Sequence, residues 1–82
     1  MGVPNLTQHR QHPSLVALGE AIRSVRVDRG ISQENLALLA DVDRTHVGRV
    51  ERGDNNVAFL TLKKLADALE ISVAQLMKKA KQ

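Results

Sequence analysis

An 82-residue chain has room for one domain around one core. The absence of cysteine removes disulfides and thiolate metal sites and fits a reducing compartment, and a single aromatic residue, Phe59, excludes the base-stacking platforms of single-strand binders. A net charge of +3 permits a polyanionic partner without demanding one.

No apolar run approaches the roughly 18 residues that a membrane span needs. The first residues also lack the apolar stretch of a secretory leader, so the expected location is the cytoplasm. Residues 1–12 show neither helical nor strand periodicity and read as a flexible arm. They are either a tail with no role or an arm that reaches phosphates or a groove through Arg10. The folded domain is expected over 13–82.

From Pro13 the pattern becomes helical and stays so. A first helix over about 14–29 carries Leu15, Leu18, Ile22 and Val25 on one stripe, with Pro13 at its entrance and Gly30 at its stop. Ser32 is the N-cap of a second helix, Gln33–Ala40, which turns Leu36, Ala37 and Ala40 inward. After a turn at Asp41-Val42-Asp43, a third helix runs over Arg44–Arg52, with Asp43 as its N-cap and Gly53 as its stop. A fourth helix, Phe59–Leu69, is expected to point Phe59, Leu62, Leu65, Ala66 and Leu69 one way and Lys63, Lys64 and Asp67 the other. Ser72 and Gln75 form a capping box for a fifth helix whose apolar face is Val73, Leu76 and Met77 and whose basic end is Lys78, Lys79 and Lys81.

Two short helices joined by a three-residue turn have the skeleton of a helix-turn-helix unit. On the third helix, Val47 and Val50 anchor one side. Arg44, Thr45, Gly48, Arg49 and Arg52 fall on a second stripe without apolar residues. Guanidinium groups match the O6 and N7 of guanine in the major groove, and Thr45 offers a hydroxyl or a methyl to a base edge. Gly48 costs about 1 kcal/mol inside a helix relative to Ala. Its place on an exposed stripe reads either as room for a close backbone approach or as drift on a solvated face.

The segment ISQENLALLADVDRTHVGRVERGDNN followed by FLTLKKLADALEISVAQL resembles the phage Cro/repressor (XRE-type) helix-turn-helix family over about residues 18–77. The landmarks are Ser32-Gln33 before Leu36-Ala37, the Glu51-Arg52-Gly53 closure, and Leu62, Leu65-Ala66 and Leu69 in order. The resemblance implies an all-α, five-helix, lambda-repressor-like domain. It implies sequence-specific binding of double-stranded DNA as a small transcriptional regulator, a homodimer on a palindromic operator with half-sites roughly 34 Å apart. It implies that Arg44, Thr45 and Arg49 read bases. Gln33, His46, Arg52, Asn55 and Asn56 would lie at the backbone or groove edge, and Arg26 would pair with Glu51. A partly buried Glu51 needs such a partner on physical grounds as well.

The chain also departs from the family pattern. Asp41 stands where the turn usually has Gly, Glu70 where Gly often precedes the fifth helix, and Val57-Ala58 at a fourth-helix entrance usually made by Pro-Ser. Leu38 and Leu39 stand where polar residues are usual, either as a partner patch or as singly exposed side chains. Spare apolar surface near Leu60, Met77 and Ala80 is the candidate dimer face. No catalytic constellation is present, and Asp43 with His46 makes a poor metal pair, so no enzyme activity, metal, cofactor or small-molecule ligand is expected. The alternative is a protein-binding adapter or antitoxin that uses the same fold.

Overall fold

Three of the five helices begin on a side-chain cap, which fixes where each of them starts. The computed structural model describes residues 11–82. The helices are α1 (Pro13–Asp28), α2 (Gln33–Ala40), α3 (Arg44–Arg52), α4 (Phe59–Ala68) and α5 (Val73–Lys79). Among the described residues there is no strand. Ser32 Oγ accepts from Asn35 N at 3.0 Å at the head of α2. In the capping box of α5, Gln75 N donates to Ser72 Oγ at 2.9 Å and Ser72 N donates to Gln75 Oε1 at 3.1 Å. His12 caps α1, with Nδ1 accepting from Ser14 N at 3.1 Å.

The other two entrances have no such cap. Asp43 has the extended backbone of an N-cap, but its side chain makes no capping bond, contrary to expectation. Ala58 has no side chain able to cap α4. The helix ends use left-handed residues: Gly30 and Gly53, and also Asp41 at φ 56° and Glu70 at φ 57°, where glycine would be free of the Cβ penalty. Helix α4 stops at Ala68, with Leu69 as its C-cap, one residue short of the expected end.

Packing follows the apolar stripes. α1 lies against α3 and α5, α2 against α3 and α4, and α4 against α5. Ile22, Leu36, Val47, Leu65, Leu69 and Leu76 are fully buried at the centre, each large aliphatic side chain contributing about 1.5–3 kcal/mol. Leu15, Val73 and Met77 are only half-buried. Phe59 does not point inward with Leu62 and Leu65. It is 63% exposed, and Leu60 beside it is 73% exposed. A helical side chain covers the turn N-terminal to its own Cα, and at the first position of α4 no such turn exists. Ala80, expected on the surface, is buried in the core.

Gly19 sets the spacing of α1 and α3. A Cβ built there would fall 2.8 Å from the Glu51 carbonyl carbon, and closer still to the carbonyl oxygens of Val50 and Glu51. The two backbones therefore touch, and only glycine fits between them. Of the arm expected over 1–12, the described residues are Gln11 and His12, and both are tied down. Gln11 N donates to Gly53 O at 2.7 Å. The expected role of Arg10 lies outside the described residues.

Candidate nucleic-acid interface

α3 is held from behind and open in front. Val47, Val50 and Glu51 are buried, whereas Arg44, Thr45, Arg49 and Arg52 are exposed. With only two apolar side chains to anchor it, nine residues of helix need a further hold on the domain. The carboxylate of Glu51 supplies it. Arg26 Nε donates to Glu51 Oε2 at 2.6 Å, and Arg26 Nη2 donates to Oε1 at 3.0 Å. Gln33 Nε2 donates to Oε1 at 2.9 Å. Arg26 Nη1 reaches back to the Ile31 carbonyl at 2.9 Å. The side chains are 11% and 2% exposed, so this is an ion pair in the interior, in fork-to-fork geometry. The structure thus brings Arg26, Gln33 and Glu51 together, and joins α1, α2 and α3 through one carboxylate.

The front of α3 has a different chemistry. Among the described residues, the side chains of Arg44, Thr45 and Arg49 make no hydrogen bond and stand free in solvent. Asn55 Nδ2 lies 3.3 Å from the half-buried His46 Nε2, which fastens the loop after α3 to the helix; Asn56 is exposed beside it. Arg49, Arg52, Asp54 and Asn55 line a shallow polar hollow at the end of α3. Arg52 Nε donates to Asp54 Oδ2 at 3.0 Å.

Gly48 does not lie on the exposed stripe. It is buried beneath two side chains: a Cβ there would sit 3.1 Å from Arg52 Nη1 and 4.0 Å from Gln33 Oε1. The glycine therefore makes room for Arg52 to lie back along the helix, a reason that neither sequence-based reading contains. Asp54 and Gln11 were also missed. Both sit beside Arg52, and their 43-residue separation from each other leaves no local pattern to read.

A family model described as helix-turn-helix, HTH_3, matches residues 22–76, from the middle of α1 into α5. The chain belongs to this helix-turn-helix family. Control protein C.SmaI of Serratia marcescens is 45% identical over 60 residues, covering 73% of this chain and 71% of that protein. Control protein C.BamHI of Bacillus amyloliquefaciens is 33% identical over 60 residues, covering 72% and 74%. Among solved structures, the restriction-modification controller protein C.AhdI from Aeromonas hydrophila superposes with a TM-score of 0.78 at 45% identity, covering 79% of this chain and 98% of that one. The clp gene regulator ClgR from C. glutamicum does so with a TM-score of 0.80 at 34% identity, covering 83% and 87%.

The protein is a small DNA-binding transcriptional regulator of this family. Its relatives are regulators rather than enzymes, and they do not favour the adapter alternative. No helix among the described residues is long and apolar enough to cross a membrane.

Proposed function

We propose that the protein binds a palindromic operator as a cytoplasmic homodimer, with α3 of each subunit in the major groove. In this reading Arg44, Thr45 and Arg49 contact base edges, while Gln33, His46, Arg52, Asn55 and Asn56 contact the backbone or groove edge. The observation that carries it is the split character of α3. The outward guanidinium groups of Arg44 and Arg49 are unengaged, and its inner side is held by the Arg26–Glu51–Gln33 network. Free guanidinium groups on a helix held against rotation suit bidentate base reading. Gln33 belongs to both sides: its Nε2 braces Glu51, and its other amide atom faces the Gly48 region where backbone contact is expected.

The names of the relatives point to a physiological role. C.SmaI and C.BamHI are control proteins and C.AhdI is a restriction-modification controller protein, so the proposed role is control of transcription in such a system. The adjacent apolar side chains Phe59 and Leu60 at the head of α4, with half-buried Met77, are the proposed dimer contact.

Selection of bound duplexes from a random pool tests the reading directly. A palindromic site with half-sites roughly 34 Å apart is the expected result. Arg44→Ala or Arg49→Ala then relaxes the preference at single positions by about 1–3 kcal/mol. Failure to enrich any sequence refutes sequence-specific regulation.

A further inference from the structure

Arg52 closes α3, and its guanidinium is 59% exposed at the side chain. An exposed arginine ordinarily samples many rotamers, and ordering it on binding costs free energy. Here it is held in one place. Its Nε donates to Asp54 Oδ2 at 3.0 Å, and its Nη1 lies over the bare face of Gly48. The other carboxylate oxygen of Asp54 accepts from Gln11 Nε2. Gln11 is itself fixed at both ends: its side-chain amide also reaches the Arg52 carbonyl at 3.0 Å, and its backbone N–H donates to the Gly53 carbonyl at 2.7 Å. Asp54 is turned inward at 19% side-chain exposure. Only the Nε edge of the guanidinium is engaged, and among the described residues its two Nη groups donate to nothing.

We propose that Asp54, steadied by Gln11, is a positioning residue that holds Arg52 by its Nε so that the two Nη groups face a DNA phosphate. The inference rests on the reading of Arg52 as a backbone contact and adds what makes that contact work. It carries a counter-intuitive consequence. Asp54 places a negative charge at the DNA-facing edge, where Coulomb repulsion alone predicts that removing it tightens binding. Positioning predicts the opposite.

A double-mutant cycle on the full chain separates the two, read as affinity for a mixed-sequence B-form duplex across a salt series. Arg52→Ala lowers the log–log salt slope by about 0.9, the signature of one lost phosphate contact. Asp54→Ala weakens binding by about two- to fivefold, the scale of one exposed charge pair. That loss disappears when Arg52 is already alanine. Gln11→Ala, which leaves every charge in place, gives a smaller loss that also vanishes in the Arg52→Ala background, and it stands in for Asp54→Ala if the latter melts the end of α3. Tighter binding by Asp54→Ala, or an equal change in both backgrounds, overturns the positioning role alone. An unchanged salt slope for Arg52→Ala overturns the phosphate contact, and with it this inference. Failure of the wild-type chain to bind any duplex is instead the failure of the functional reading.

Discussion

Replacement of Glu51 by glutamine removes one charge and almost no volume, and its cost can be worked from the bonding pattern. The carboxylate accepts three hydrogen bonds, from Arg26 Nε, Arg26 Nη2 and Gln33 Nε2. An amide has one acceptor oxygen with two lone pairs, so at most two of the three donors can be satisfied. Its NH2 must then face an N–H that also donates. Hydrogen bonds to charged groups are worth about 1.5–3 kcal/mol, and a stranded buried donor costs a similar amount. Glu51→Gln is therefore expected to lose about 2–3 kcal/mol, and Glu51→Ala about 3–5 kcal/mol because Arg26 is left unpaired in the interior.

A domain of this size has only about 4–12 kcal/mol in total. Urea unfolding followed by circular dichroism measures both losses, with a slope of about 1 kcal/mol/M for so small a chain. The double variant Arg26→Met with Glu51→Leu should cost less than the two single changes added together, since no charge is left stranded. Glu51→Gln within about 0.5 kcal/mol of wild type, the range of ordinary surface substitutions, would refute the reasoning.

Three further variants probe other contacts. Gly48→Ala should raise thermal stability by up to about 1 kcal/mol through helix propensity. It should also weaken duplex binding by about two- to fivefold, because the new methyl displaces the Arg52 guanidinium; a more stable variant with undiminished affinity would show that Arg52 simply moves aside. Gly19→Ala should destabilise by about 1–3 kcal/mol or more, since the methyl meets backbone carbonyls that cannot rotate away; thermal melting reads this, and an unchanged midpoint would contradict the close α1–α3 approach. Phe59→Glu with Leu60→Glu should keep stability within about 0.5 kcal/mol while sedimentation shows loss of the dimer; a dimer that survives places the interface elsewhere.

Where structure depended on local chemistry, it was legible in the sequence. Both bounds of α2 and of α3 stand where Ser32, Asp41, Asp43 and Gly53 suggested; at Ser32, Asp41 and Gly53 this is because cap and stop residues act within one turn. Helical periodicity identified Leu62 and Leu65 as core but misplaced Phe59, since periodicity assigns a face without asking whether a preceding turn exists for the side chain to cover. Asp43 was the right residue type for a cap, yet its carboxylate makes no capping bond. Gly19 has no local signature: it looks like a flaw in a helix until the backbone of α3 is placed against it. The Arg52 setting was hidden for the same reason, because Gln11, Gly48 and Asp54 meet only once α1 and α3 have packed.

The same packing explains why an interior ion pair suits this helix better than an aliphatic contact. Val47 and Val50 supply burial, which is non-directional and leaves a helix free to roll slightly about its axis. Rolling matters little for stability but moves every outward side chain together. The tips of Arg44 and Arg49 lie farthest from the axis and move the most. A bidentate guanidinium–carboxylate pair tolerates little rotation, and Gln33 adds a third bond from a different helix. Hydrophobic replacement of the pair can thus leave the fold intact and still loosen the angle at which, in the proposed binding mode, the arginines meet the groove. For the Arg26→Met, Glu51→Leu variant, near-native unfolding free energy is therefore expected alongside a lower ratio of operator to non-specific affinity, measured on the same pair of duplexes. Stability and specificity falling in proportion would show instead that Glu51 does no more than hold the domain together.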